Sequence, residues 1–290
     1  MATLRDIKSR IKGVKSTQQI TKAMKMVAAA KLRRAQESVV NARPYARKIS
    51  KLIGRLITDE DIVNNSFIVQ RDVRNILLVV VTADRGLCGA FNNNILKEAS
   101  RQLEAITSGQ NITPHVYCIG RKSYEFFKKR DYHIVGHVEG IYSPLKYETA
   151  LNVSDEIIKG YLLNNYDKVI IIYNEFKTII QQKIVSEQFL PIPVSADSVK
   201  NINTDYIYEP GQKEIFDYLL PKHFKAQMWR LLLESNASEL GAKMTAMENA
   251  TTNAKELIRV LQLTYNKERQ AAITKEILEI VSGANAQKAG

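Results

Sequence analysis

Cysteine is scarce in this chain. Cys88 and Cys118 are the only two in 290 residues, too few for a disulfide framework. Each follows an apolar run, so both are expected to be buried free thiols, which suits a reducing cytoplasm. Long apolar runs are missing as well: nothing approaches the roughly 20 residues that a membrane-spanning helix needs. The N-terminus lacks the apolar core and small-residue cleavage site of a signal peptide, and no organelle transit peptide is visible. The expectation is a protein that reaches a membrane only through a partner.

Two further absences shape the ends of the chain. Between Ala2 and Arg43 there is no proline and a single glycine, Gly13, and after Pro221 there is no proline at all. Ala, Lys, Arg, Gln, Met, Leu and Ile dominate the first segment, and all favour helix. Acids are nearly missing from it. Ile7 to Gln36 holds nine Lys or Arg and no Asp or Glu. Residues 1–55 carry fifteen basic and two acidic side chains, a balance of +13, so the remaining 235 residues supply −1 of the net +12. Like charges at i,i+4, such as Lys8 and Lys12, go unrelieved. The segment from residue 221 onward offers seven acids against ten bases. An acidic neighbour outside the chain is therefore expected.

Patterns that carry chemistry are absent too. The loop "DRGLCGAFN" (Asp84–Asn92) lies between an expected strand and helix, where phosphate loops occur. Its glycines, Gly86 and Gly89, are spaced GxxG, which fits neither of the nucleotide-binding glycine patterns. A tight structural turn, with Asp84 and Arg85 in a local polar network, is the expectation. Among the four histidines, His133 and His137 would lie ~13 Å apart on a strand, too far to share a metal ion at about 2 Å per ligand. No Ser/His/Asp, Cys/His or paired-carboxylate arrangement stands out. No catalytic residue, cofactor or metal is expected, and the chain reads as a non-enzyme.

What is present is periodicity. Leu4, Ile7, Ile11 and Val14 step by three and four, as do Ile20, Met24 and Val27, and then Ala42, Ala46, Ile49, Ile53 and Leu56. This is a narrow apolar stripe on a helix of about 55 residues, or ~80 Å. Pro44 is expected to kink that helix, not end it. Thr58–Val73 reads as a polar connection. The period then changes. "NILLVVV" (Asn75–Val81), "HVYCIG" (His115–Gly120), "YHIVGHV" (Tyr132–Val138) and "KVIIIYN" (Lys168–Asn174) read as strands, with "QKIVSEQFLPI" as an antiparallel return. Helices are expected near residues 93–107, 121–129 and 150–164. From Leu240 and Met244 through Met247, Thr251, Ala254, Ile258, Leu261, Tyr265, Glu268 and Ala272, a 4-3 spacing marks a coiled-coil seam on a helix of ~90 Å. These elements predict an α/β protein: a long antiparallel coiled coil of N- and C-terminal helices with an inserted Rossmann-like α/β domain. The expected domains are an N-terminal coiled-coil helix at 1–58, a central α/β domain at 74–210 and a C-terminal coiled-coil helix at 211–286. The seam is thin, rich in Ala, Thr and Ser, so its far part is expected to lean on a surrounding partner.

Three stretches, "STQQITKAMKMVAAAKLRRAQ" (Ser16–Gln36), "TADRGLCGAFN" (Thr82–Asn92) and "YNKERQAAITKEILEIVSGA" (Tyr265–Ala284), together resemble the gamma-subunit family of F-type ATP synthases in its bacterial form. The resemblance runs from end to end. It implies a non-catalytic central rotor stalk whose coiled coil enters a ring of three alpha and three beta subunits. The α/β domain would stand with the epsilon subunit on the c-ring of Fo, and proton flow through Fo would turn the assembly and drive the beta sites through different nucleotide affinities. The chain would be peripheral to the cytoplasmic face of the bacterial inner (plasma) membrane, held through Fo. Met24 and Lys25 would face an acidic beta loop. Arg269, Gln270 and Thr274 on the opposing helix would contact beta and alpha. Ile277, Leu278, Ile280 and Val281 would form an apolar tip in a hydrophobic bearing. Asp84, Arg85, Gly86 and Gly89 would be a structural loop, with no cofactor and no nucleic acid as partner. Photosynthetic members carry an inserted pair of regulatory cysteines, and this chain has no such insert, so thiol regulation is not expected. Two other readings stand beside this one. A basic coiled-coil nucleic-acid-binding protein rests on the +13 segment alone, and the first aromatic of that segment comes only at Tyr45. A nucleotide-using enzyme would need a phosphate-cradling pattern at Asp84–Asn92.

Overall fold

The computed structural model describes residues 3–108, 112–142, 144–179, 181–193 and 208–288. Among them the elements run α1 (Leu4–Leu56), α2 (Asp59–Asn64), β1 (Asn75–Val81), α3 (Phe91–Thr107), β2 (Thr113–Ile119), α4 (Arg121–Lys128), β3 (Ile134–Val138), α5 (Tyr147–Leu162), β4 (Lys168–Phe176), β5 (Gln182–Leu190) and α6 (Gln212–Lys288). They form two compact units, Met1–Val27 with Met244–Gly290, and Ala28–Lys243. The class is α/β with long helices at both ends, as the sequence pattern implies.

In the larger unit the strands lie in the order β3-β2-β1-β4-β5. The β1–β2, β1–β4 and β2–β3 pairs are parallel, and β5 returns antiparallel to β4. β1 is apolar at nearly every position because both of its faces are covered. Leu77, Val79 and Val81 pack with α5, and with Ile53 of α1 and Phe224 of α6. Leu78 and Val80 pack with α3 through Phe91, Ile95 and Leu103. α1 and α6 run antiparallel beside the first of these cores: Arg43 meets Glu234, Ser50 meets Gln227, and Gln212 donates to the Leu56 carbonyl.

In the smaller unit the pairing is also antiparallel. The Thr21 and Thr251 hydroxyls lie 2.8 Å apart, and Lys25 pairs with Glu248. On α6 every seam residue from Thr251 to Ala272 is buried or half-buried and every residue between them is exposed. The α1 stripe needs a correction in its middle. Ile20 and Val27 are each 57% exposed, and the covered line passes through Gln18, Thr21 and Lys25. Those residues continue the 3-4 stepping from Val14 without a break, so the supercoil repeat outweighs local hydrophobicity. Ion pairing and hydroxyl bonding replace apolar contact along that stretch.

One element was not expected. α2 falls inside the segment read as a polar connection. Its capping box is visible in the chain: Asp61 N donates to Thr58 Oγ1, and Thr58 N donates to Asp61 Oδ2 at 3.0 Å, two reciprocal bonds that start a helix. α6 begins at Gln212 and carries Pro221 within it, as α1 carries Pro44. From Leu231 to Ala242 all residues of α6 but Asn236 are buried. A helix covered all round shows no amphipathic stripe.

Candidate functional site

The basic stretch of α1 is only partly neutralised by the fold. Of its nine cations, Lys25 is taken by Glu248 and Arg33 by Glu37, its neighbour one turn on. Lys8, Arg10, Lys12, Lys15, Lys22, Lys31 and Arg34 form no ion pair among the described residues. Lys25, expected to be a free cation, is the one with a partner on the opposing helix, because the antiparallel register sets Glu248 across from it.

The other expected contact residues spread along α6. Met24 is half-buried beside Lys25. Arg269 and Gln270 are exposed, and the Thr274 hydroxyl donates to the Gln270 carbonyl at 2.9 Å. Glu248 and Arg269 are 21 residues apart on one helix, about 30 Å at 1.5 Å per residue. The structure therefore does not gather Lys25 with Arg269. Ile277, Leu278, Ile280 and Val281 are 55, 60, 71 and 49% exposed. Every described side chain from Ile273 to Asn285 is exposed, so this stretch of α6 has no packing partner among the described residues.

The glycine loop is a structural turn. Leu87 and Gly89 have φ of 65° and 59°, the left-handed conformation that glycine adopts without cost. Asn92 Oδ1 accepts from Ala83 N at 2.9 Å, while its Nδ2 donates to the Arg85 carbonyl and the Cys88 thiol. Asp84 Oδ1 accepts from Arg121 N and Gly140 N at 3.2 and 2.8 Å, tying the loop to α4 and to the segment after β3. The Asp84 carboxylate thus occupies the α4 N-terminus. Burial pushes the Cys88 thiol up, and the Cys118 thiol to about 12, so neither is a thiolate nucleophile near neutral pH.

Two arrangements in the larger unit escaped the sequence reading. One is a cleft of about 690 Å³ where Lys31, Arg34, Arg85 and Lys243 meet Asp84 and Glu239. Lys243 is bonded to Glu239 at 2.7 Å, which leaves Lys31, Arg34 and Arg85 in excess. The other is a buried ionic network. Arg230 grips Glu187 with two bonds of 2.9 and 2.8 Å and also donates to Tyr173 at 3.1 Å. Glu234 accepts from Arg43 at 3.1 Å, and Arg43 continues to the Phe176 carbonyl at 2.7 Å. Burial opposes the charge on Arg230, but Tyr173 and Glu187 outweigh it and hold the guanidinium protonated above its usual range. Partners so far apart in sequence leave no spacing signal.

Comparison with known proteins follows the same architecture. The profile of the ATP synthase family matches residues 3–287. An ATP synthase gamma chain of Prosthecochloris aestuarii is 50% identical over 99% of both chains. One of Chlorobaculum tepidum is 48% identical over 99% of this chain and 100% of its own. Among solved structures, the central stalk and c-ring of the Tetrahymena thermophila mitochondrial ATP synthase gives a TM-score of 0.62 at 26% identity, covering 80% of this chain and 99% of that one. A chain of the Euglena gracilis mitochondrial ATP synthase gives 0.73 at 24% identity over 99% of this chain and 95% of that one, a likeness of fold. Paired terminal helices, an inserted mostly parallel sheet and a match of about half the residues along nearly the whole length agree, and the chain belongs to the ATP synthase gamma-chain family.

Proposed function

We propose that this chain is the central rotor stalk subunit of an F1Fo ATP synthase and that it couples c-ring rotation to conformational change at the catalytic beta subunits. The full-length identity to chains named ATP synthase gamma chain carries the reading. Its partners are the alpha and beta subunits of the ring, the epsilon subunit and the c-ring of Fo. It is itself non-catalytic. Among the described residues no helix is long and apolar enough to cross a membrane, so its place at the cytoplasmic face of the inner membrane comes through Fo.

The surface explains what such a stalk can do. The free cations of α1 attract an acidic beta surface while remaining solvated, so the attraction is strong on approach and is released on turning. Arg269, Gln270 and Thr274 lie exposed, off the line of the seam, available to the ring. The bare apolar end at Ile277–Val281 suits a hydrophobic sleeve. Met24 and Lys25 belong to the same contact, with Lys25 shared between Glu248 and the acidic loop. Within the larger unit, the Arg43–Glu234–Arg230–Glu187 network locks α1, α6 and the sheet edge together, so a twist applied to the sheet reaches both helices.

Co-expression with alpha and beta subunits tests the reading. The expected result is a complex purifying with three alpha and three beta chains per copy, with ATP hydrolysis that couples to ion pumping once Fo is added. A chain that binds DNA in a salt-dependent manner and ignores the ring would overturn it.

A further inference from the structure

A second cavity, of about 170 Å³, lies where α1, α6 and the end of β5 meet. Ser50, Ile53, Gly54 and Ile57 line it from α1, spaced as one face of a helix. Phe189 and Ile192 add apolar wall after β5, while His223 and Gln227, one turn apart on α6, add polar atoms. Ile53, Phe189, Ile192 and His223 are all buried, so these walls belong to the core. Gln227 holds Ser50 only loosely, Nε2 to Oγ at 3.4 Å. His223 makes no hydrogen bond among the described residues, a costly state for a buried polar ring. Its Nδ1 is buried without a partner, which leaves Nε2 as the ring nitrogen that an occupant can meet. The Glu187 carboxylate also lines the cavity, but Arg230 already grips both of its oxygens.

We infer that this cavity is a binding site for a small neutral phenol, a single aromatic ring carrying one hydroxyl. Size sets the ring. An apolar protein cavity of about 150 Å³ accepts benzene, and the slightly larger volume here leaves room for one oxygen as well. His223 sets the hydroxyl. Burial lowers the pKa of this side chain to about 4, so the ring is neutral near pH 7. A neutral imidazole nitrogen donates or accepts according to tautomer, and a hydroxyl satisfies it either way. Charged ligands are excluded by the lining. No Lys or Arg lines the cavity among the described residues, so a carboxylate would lose its water beside Glu187 with no cation to meet it. An ammonium would find Glu187 already neutralised by Arg230. The cavity touches the same three elements that the Arg43–Glu234–Arg230–Glu187 network ties together, and an occupant stiffens the joint between the terminal helices and the sheet edge. The stalk function uses none of these contacts.

Calorimetric titration of the untagged full chain with phenol tests the site, with toluene and benzoate as controls of the same ring size. Phenol is expected to bind one equivalent with a dissociation constant of about 1 mM, as a ligand of this size allows, and to raise the melting temperature as it saturates. Toluene should bind about tenfold more weakly for want of the hydroxyl, and benzoate should not bind measurably. His223→Phe keeps a ring but removes both nitrogens, and should erase the preference for phenol over toluene. Ser50→Leu extends an aliphatic side chain into the cavity and should abolish binding of both. Melting of each variant without ligand separates lost binding from lost folding, and the comparison of ligands on the native chain decides the matter if a variant fails to fold. Absence of saturable phenol binding at about 10 mM, toluene or benzoate binding as tightly as phenol, a phenol preference that survives in a folded His223→Phe variant, or native affinity in a folded Ser50→Leu variant would overturn the assignment. Binding is read on the isolated chain, so its failure leaves the rotor reading untouched.

Discussion

Glu234 holds two arginines with one carboxylate. Its side chain is 2% exposed, its Oε1 lies 3.1 Å from Arg43 and 3.5 Å from Arg230, and its Oε2 is buried without a partner among the described residues. Removing its charge leaves Arg43 with only the Phe176 carbonyl and takes one of two carboxylates from the largely buried Arg230. Glu234→Gln is expected to lower stability by about 3–5 kcal/mol, read as a shift in the urea midpoint at constant slope. A change below about 1 kcal/mol would show that water reaches these arginines. His223 makes a second, pH-dependent prediction. It is 4% exposed, and burial lowers its pKa to about 4. Unfolded histidine titrates near 6.5, so between about 6.5 and 4 the unfolded chain binds the extra proton. Stability is then whole above about pH 6.5 and falls as pH drops toward 4, by about 2 kcal/mol at pH 5 from this group. His223→Gln should flatten the stability profile over that window. A profile with the native slope would assign the pH dependence to other groups.

At the scale of elements, the two halves of the paired termini were unequally legible. The α6 seam was visible because Met247, Ala254, Ile258 and Leu261 are apolar at 4-3 spacing. The α1 seam was not, because Gln18, Thr21 and Lys25 occupy its positions while Ile20 and Val27 face outward. Apolar identity misleads where the exposed face of a paired helix carries hydrophobic residues too. The short α2 hid for a different reason: a capping box looks like a cluster of acids until Thr58 is read with Asp61. Strands were easier to read, since β1 and β4 are apolar runs buried on both faces. A seam this thin predicts graded protection. In the isolated chain, amides of α6 beyond Ala272 should exchange at nearly the free-peptide rate, those of Thr251–Ala272 at an intermediate rate, and those of β1 and β4 most slowly. Ile258→Ala removes one of the few large seam side chains and should cost about 2 kcal/mol locally. That speeds exchange in Thr251–Ala272 about thirtyfold and leaves β1 untouched. Uniform protection along α6 would mean that the pair needs no sleeve.

For the whole molecule, charge is the property that separates the N-terminal segment from the rest, +13 against −1. Its sign and location were legible from composition. The identity of the partner came from motif resemblance. What composition could not show is that Arg85, from the glycine loop, joins Lys31 and Arg34 of α1 at one cleft, since only the folded β1–α3 turn brings them together. If the partner surface is acidic, this cleft is where the larger unit meets it. Arg34 and Arg85 are both exposed, and their reversal to Glu should leave the urea midpoint of the chain unchanged, because exposed charges contribute little to folding. Assembly should respond. The native chain should bind the alpha–beta ring more weakly as salt rises from about 50 to 300 mM, a range over which screening shortens from about 14 to 6 Å. The doubly reversed chain should associate more slowly at low salt and lose most of that salt dependence, since steering acts on the association rate. A salt response identical to the native one would remove the cleft from the interface and leave Lys8 to Lys22 of α1 as the cations that meet the ring.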